Sequence, residues 1–199
     1  MLIFKNNLYY VYIHIPKNGG KYIRKKIMDN NKNEILRAYW CTENNFDLAH
    51  IPYVKRNEYV EPTINYHYFT YSRNPYHRLI SGYFYLVELN RFANSIQEFR
   101  SFIKNILKTY KFELSFDSNM IHFYPQYLFL CDETYQIPNT IKIIKLEKNE
   151  NPTFYNLIEY YDNECIQIVN QVYKKDFELL KYPTVNKVFP FLNKLKLLL

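Results

Sequence analysis

The sequence predicts an α/β domain built on a largely parallel sheet, and three observations carry that prediction. Two apolar, β-prone runs, residues 8–14 and 66–71, each end at a polar turn and pass directly into a run with helical spacing. A third run of the same kind, residues 140–146, follows after further helical stretches. The turn signals Gly19-Gly20 and Asn74-Pro75 stand at the first two strand-to-helix junctions. Strands that alternate with helices fold as parallel crossover units. Ligands of such sheets gather at the carboxyl ends of the strands, where both junctions fall.

Taken in order, residues 8–14 are rich in Tyr, Val and Ile and read as a buried strand. Residues 16–20 form a loop. Residues 21–29 read as a helix, with Tyr22, Ile23 and Ile27 at helical spacing, ended by residues 30–33. Residues 34–40 read as a second strand. Residues 44–65, with Pro52 and Pro62, read as a long connection with short helical turns. After the strand at 66–71, Asn74 is a good N-cap and Pro75 a good first helical residue, with the helix running to about Asn90. Residues 95–110 read as a helix capped by Ser95, with Glu98 three positions on. Residues 152–161 and 164–182 read as helices, and Pro183 ends the second. No repeat or low-complexity linker divides the chain, so residues 1–199 are expected to form one domain.

Composition narrows the partner. A hydrophobic fraction of 48% excludes a disordered chain, and a net charge of +7 points to an anion: a nucleotide, a nucleic acid, an acidic glycan or a membrane surface. Cys41, Cys131 and Cys165 are odd in number and widely spaced, so buried thiols are expected rather than a disulfide framework or a zinc site. No signal peptide or membrane-spanning run is apparent, which suggests a cytoplasmic protein. The amphipathic tail, residues 191–199, is expected to dock as a terminal helix. The 22 Tyr and 15 Phe fit either a compositional bias shared with Asn, Lys and Ile or a stacking surface for sugars and nucleosides.

Of only 3 glycines, two stand together at Gly19 and Gly20. Residues just before a helix offer unpaired N–H groups and the positive end of the helix dipole. Two glycines there let an anion approach the backbone, and Lys17 adds a mobile charge. The loop is not a Walker A motif, because no Ser or Thr is placed to hold magnesium. Read alone, it could be an ordinary Gly-Gly turn beside a solvated Lys. Arg73 ends the strand before the second junction, and Ser81 lies two turns into its helix. A guanidinium fork with a nearby hydroxyl suits a terminal phosphate. The plain alternative is an Arg at the sheet edge and a packed Ser. Arg78 reads as structural, paired with a surface carboxylate.

Together, His14-Ile15-Pro16-Lys17-Asn18-Gly19-Gly20 and Arg73-Asn74-Pro75-Tyr76-His77-Arg78-Leu79-Ile80-Ser81-Gly82-Tyr83 resemble the two cofactor motifs of the PAPS-dependent sulfotransferase superfamily. The likeness is to its Golgi carbohydrate, or family 2, branch. Three weaker echoes follow in order: His122-Phe123-Tyr124-Pro125-Gln126, Ile143-Ile144-Lys145-Leu146-Glu147, and a stretch from Tyr173 to Tyr182. The resemblance implies a P-loop-kinase-like three-layer fold, a central mainly parallel sheet flanked by helices. It implies that Lys17, Asn18, Gly19, Gly20, Lys21 and Tyr22 grip the 5′-phosphosulfate of 3′-phosphoadenosine 5′-phosphosulfate (PAPS). Arg73 and Ser81 would grip the 3′-phosphate, and the product would be 3′-phosphoadenosine 5′-phosphate (PAP). Lys21 and Tyr22 replace the family's usual Thr and Ser. The basic loop that closes over the nucleotide in relatives has no counterpart here, where residues 149–162 are acidic and aromatic. The membrane anchor is also missing.

Sulfuryl transfer needs a base for the acceptor hydroxyl and positive charge over the departing oxygen. The resemblance assigns the charge to Lys17. Ala49-His50-Ile51-Pro52-Tyr53 matches the position of the branch's catalytic His, which makes His50 the expected base. His14 is expected to orient the loop, His67 to be structural, His77 to lie on an exposed helix start, and His122 to line the acceptor cleft. No metal is expected. The acceptor is expected to be a hydroxyl, most plausibly on a carbohydrate. Two other readings stay open: a nucleotide-dependent kinase on the same core, and a basic, non-enzymatic nucleic-acid binder. The scattered Lys and Arg residues argue against specific nucleic-acid binding.

Overall fold

The computed structural model describes residues 1–30, 34–37, 42–43, 46–150 and 152–186. Its centre is a five-stranded sheet whose strands, from edge to edge, are Ile35–Arg37, Leu2–Lys5, Leu8–Ile13, Tyr66–Ser72 and Ile141–Lys145. Strands β1 (Leu2–Lys5) and β2 (Leu8–Ile13) form an antiparallel hairpin with Lys5 opposite Leu8. Its two turn residues, Asn6 and Asn7, have φ of 51° and 61°. That doubly left-handed turn matches the twist of paired strands, and Asn tolerates it better than most residues. Helix α1 (Gly20–Asn30) follows β2, and β3 (Ile35–Arg37) pairs antiparallel with β1. The expected strand over 34–40 is thus a short one, and residues 38–40 lie outside the described residues, as do Cys41 and the tail at 191–199.

A two-stranded ribbon, β4 (Thr42–Glu43) with β5 (Phe46–Asp47), leads into 3-10 turns at Leu48–His50 and Tyr53–Glu58. Strand β6 (Tyr66–Ser72) then lies parallel to β2, and helix α2 (Pro75–Glu88) follows it. Asn74 caps α2 as expected, its side chain accepting from the Tyr76 N–H. Helix α3 (Ile96–Phe102) starts from the Ser95 cap and widens into a π-helical turn over Ile103–Leu107. The expected single helix over 95–110 therefore carries a bulge, which leaves both Ile103 and Leu107 fully buried. Helix α4 (Gln126–Leu130), strand β7 (Ile141–Lys145) and helices α5 (Leu146–Asn149), α6 (Leu157–Tyr160), α7 (Asn163–Val172) and α8 (Lys174–Leu179) complete the order.

The C-terminal half departs twice more from the sequence reading. Only Leu157–Tyr160 of the helix expected over 152–161 is helical. The preceding residues spend backbone groups elsewhere: the Thr153 carbonyl accepts from Arg73 and the Tyr155 amide donates to His77. The helix expected over 164–182 breaks at Tyr173 into α7 and α8. The buried Asp176 carboxylate of α8 accepts the N–H groups of Gln126 and Tyr127, both at 2.8 Å, and so caps α4. Lys181 then takes φ of 56°, with the Tyr182 amide returned to the Phe177 carbonyl before Pro183.

Period-two alternation divides the sheet into two faces. Tyr12, Phe69 and Tyr71 face α1, packing with Ile23 and Leu146. Ile13, Tyr68 and Ile143 face the larger core built on α2, α3, α4, α7 and α8. The chain is therefore a mixed α/β fold, parallel across β2-β6-β7 and antiparallel at the other edge. Ile13 stands opposite Thr70 and Thr70 opposite Ile143, so the carboxyl ends of three parallel strands lie side by side. The loops that leave them form the site.

Candidate active site

The loop after β2 turns on two left-handed residues, Lys17 (φ 68°) and Gly19 (φ 73°). Gly20 has a different requirement. A Cβ there would lie 1.6 Å from Nε2 of His14, whose ring fills the space a side chain would need. The second glycine thus makes room for a histidine before it makes room for any ligand. His14 is 6% exposed and packs 4.4 Å, centroid to centroid, from His50. Its backbone carbonyl accepts the Nδ1 proton of His50 at 3.0 Å. That bond selects the His50 tautomer whose Nε2 carries a lone pair. His122 sits on the other side, edge-on to His50 at 6.2 Å and to Tyr85 at 4.8 Å. Burial, then the neighbouring His50, Lys17, Arg78 and Arg91, push the His122 imidazole down to about 3. Burial and His50 also lower His14 well below its ordinary value. Both rings are therefore neutral hydrogen-bonding groups at neutral pH.

Lys17 is half-buried, with its ammonium 4.1 Å above the Tyr85 ring. Burial lowers it to about 8; Glu88 opposes the shift, and Arg73, Lys21 and Arg78 add to it. Asn18 is fully buried and donates to the Tyr71 carbonyl at 2.6 Å and to Gln126 Oε1 at 2.8 Å. Lys21 and Tyr22 are exposed in the first turn of α1, Tyr22 by 58%. Their side chains do not build the loop, whereas their amides belong to the free end of the helix.

Arg73, 5% exposed, donates to the Lys17 carbonyl at 3.0 Å and to the Thr153 carbonyl at 2.5 Å. Its Nε is buried without a partner. Burial also lowers its pKa, though a guanidinium stays charged. Ser81 is half-buried one helical turn beyond His77 and one before Tyr85, on the α2 face that carries both. Arg78 corrects the sequence reading. It is 2% exposed and meets no surface carboxylate; it donates to the carbonyls of Pro16 at 2.9 Å and Tyr124 at 2.7 Å. His77 corrects it too, being 7% exposed, with Nδ1 accepting the Tyr155 amide at 3.2 Å. His67 lies exposed on β6 beside Tyr10.

The three echoes are the braces of this site. Gln126 accepts at Oε1 from Asn18 and from the Arg73 amide and donates from Nε2 to the Arg73 carbonyl at 2.7 Å, joining the two loops. Glu147 accepts the Asn74 amide at 2.6 Å and the Tyr182 hydroxyl at 2.9 Å. Asp176 holds the amides of Gln126 and Tyr127. Reading the sequence missed Gln126, Tyr85 and the 152–156 segment as parts of the site. Helical spacing from Ser81 to Tyr85 was the one local signal for any of them.

The arrangement gathers Lys17, Lys21, Arg73 and Arg78 round one strand edge, with Glu88 the opposing carboxylate felt by Lys17. Among the described residues no group of His, Cys, Asp and Glu could hold a metal ion, and no helix is long and apolar enough to cross a membrane. Cys131 and Cys165 are free and buried, and burial raises the Cys131 thiol to about 11. A sulfotransferase family model matches residues 2–160, spanning both loops, the His50 turn and the echoes through Glu147. The chain belongs to the sulfotransferase family, in its family 2 branch, and is by that membership a transferase of the sulfuryl-transferring class. No curated protein and no solved structure gave a match.

Proposed function

We propose that the protein transfers a sulfuryl group from PAPS to a hydroxyl acceptor on a carbohydrate, as a single cytoplasmic domain. The observation that carries this reading is the bond from His50 Nδ1 to the His14 carbonyl. It ties a histidine whose Nε2 carries the lone pair to the strand end that becomes the loop. The base is thereby hydrogen-bonded to the residue that leads into the anion loop.

The residues fit the donor. Arg73 keeps a buried Nε–H without a partner, and Arg78 a buried terminal nitrogen, at the edge where anionic groups would arrive. On this reading Arg73 and Ser81 hold the 3′-phosphate, and the loop from Lys17 to Tyr22 holds the phosphosulfate with its amides. The acceptor oxygen attacks sulfur, the bond from sulfur to the bridging oxygen of the 5′-phosphate breaks, and PAP leaves. His50 Nε2 takes the hydroxyl proton. The Lys17 ammonium offsets the charge that grows on the bridging oxygen. His122, neutral beside His50 and Tyr85, offers a hydrogen bond to the acceptor.

Two measurements test this. PAP should raise the melting temperature selectively over ATP; equal shifts would favour a kinase-like nucleotide site. With labelled donor and a screen of glycans, phenols and tyrosyl peptides, His50→Ala should lose most transfer, about a thousandfold for a general base, with PAP affinity near wild type. An active His50→Ala enzyme would remove His50 from the chemistry.

A further inference from the structure

One of the acceptors of Arg73 comes from a distant segment of the chain. The Thr153 carbonyl that takes its guanidinium proton at 2.5 Å belongs to an extended segment, residues 152–156, between α5 and α6. The next residues of that segment are seated on α2. The Tyr155 amide donates to His77 Nδ1 at 3.2 Å, the Phe154 ring meets His77 edge-on at 5.4 Å, and the Tyr155 ring lies 5.9 Å from the Arg73 guanidinium. Asn156 then caps α6. A cation this buried needs acceptors in every state of the protein, because an uncompensated buried charge is strongly unfavourable.

We propose that residues 152–156 are a strap that occupies part of the 3′-phosphate place on Arg73 in the free protein and yields it to the nucleotide, so that strap and 3′-phosphate compete for the terminal nitrogen Nη2 while Nε stays open to the phosphate. This rests on reading Arg73 as the 3′-phosphate ligand. The exchange follows from acceptor strength. A carbonyl carries no formal charge, whereas a phosphate adds ion pairing and can take the guanidinium fork through two parallel bonds. The strap therefore wins in the free protein and the phosphate wins once bound. AMP, which lacks the 3′-phosphate, has nothing with which to displace the carbonyl. His77 is the latch, accepting the Tyr155 amide through a neutral ring nitrogen. In the proposed mechanism the His77 ring has no contact with donor or acceptor, so AMP binding serves as the control for altering the latch. The strap also supplies what the aromatic sequence at 149–162 does in place of a basic closing loop.

The test follows hydrogen exchange in the peptide containing Tyr155, with PAP and AMP as probes. In the wild type, PAP should speed exchange there and AMP should leave it unchanged. His77→Phe keeps a ring against Phe154 and loses the acceptor. It should exchange faster at Tyr155 without ligand, bind PAP several-fold more tightly through faster association, and bind AMP as the wild type does. Phe154→Gly acts on a side chain that is 45% exposed and should behave the same way if His77→Phe folds poorly. If PAP binds the wild type while Tyr155 exchange stays unchanged or slows, and both variants bind PAP like the wild type, the strap is overturned and the nucleotide site stands. If PAP binds none of the three proteins, the nucleotide reading is overturned and the strap with it.

Discussion

The two loops at the strand ends carry similar charge and use it in opposite ways. The loop after β2 leaves its cation half-buried, poised over Tyr85, with its pKa lowered to about 8. The turn after β6 buries Arg73 and Arg78 and commits their guanidinium protons to the carbonyls of Lys17, Thr153, Pro16 and Tyr124. An ammonium on a flexible stem can follow charge that moves during a reaction, whereas a planar fork fixed by several acceptors sets position. The turn after β6 therefore holds the shape of the loop after β2, and the proposed chemistry falls to the latter.

The most severe way to break this division is Gly20→Ala. With a Cβ 1.6 Å from the buried His14 ring, the turn must move, and stability should fall by about 3 kcal/mol or more, the upper range for overpacking. Urea denaturation measures this. Adding His14→Ala should recover much of the loss, since the pair interacts directly; additive losses would show that the clash is not with His14. Lys17→Ala comes next and sharpens the contrast. Turnover at saturating donor should drop about a hundredfold, the size for one lost electrostatic stabiliser, while PAP affinity changes less. Normal turnover would take Lys17 out of the mechanism.

Arg73→Ala should show the reverse pattern. PAP binding by calorimetry should weaken by roughly 2 kcal/mol, in the range for a charge-assisted contact, with AMP binding little changed; equal weakening of both would refute the 3′-phosphate assignment. The smallest effect is on pH. The lowered Lys17 ammonium is charged below about 8 and neutral above it. Because the charged form is the useful one, kcat/KM, which reports the free protein, should fall as pH rises through 8, by about tenfold per unit well above it. That descending limb should be absent in Lys17→Arg, whose guanidinium keeps its charge.

How much of this could be read in the sequence depends on the distance over which each interaction acts. The strands β2, β6 and β7 and the Asn74-Pro75 helix start were legible because alternation and caps involve neighbours in the chain. Lys17, Arg73 and His50 were legible as candidates, a pattern of residue types in order, and the structure brings them to the same strand ends. The hub at Gln126 was not, since its bonds span 108 positions to Asn18 and 53 to Arg73. The same holds for the broken helices after Asn149: local spacing favours helix over 152–156, and two distant side chains on the β6–α2 turn, Arg73 and His77, claim its backbone groups instead.

By itself, then, the sequence determined the alternating elements, the two strand-to-helix junctions and the residues able to hold and move charge, because those follow from short-range sterics, periodicity and side-chain chemistry. Only the tertiary structure decided that Gly20 serves His14, that Arg78 and His77 are buried rather than exposed, and that Thr153 already occupies Arg73. Each of those is settled by which polar groups must find partners once the strand ends are packed together and water is excluded.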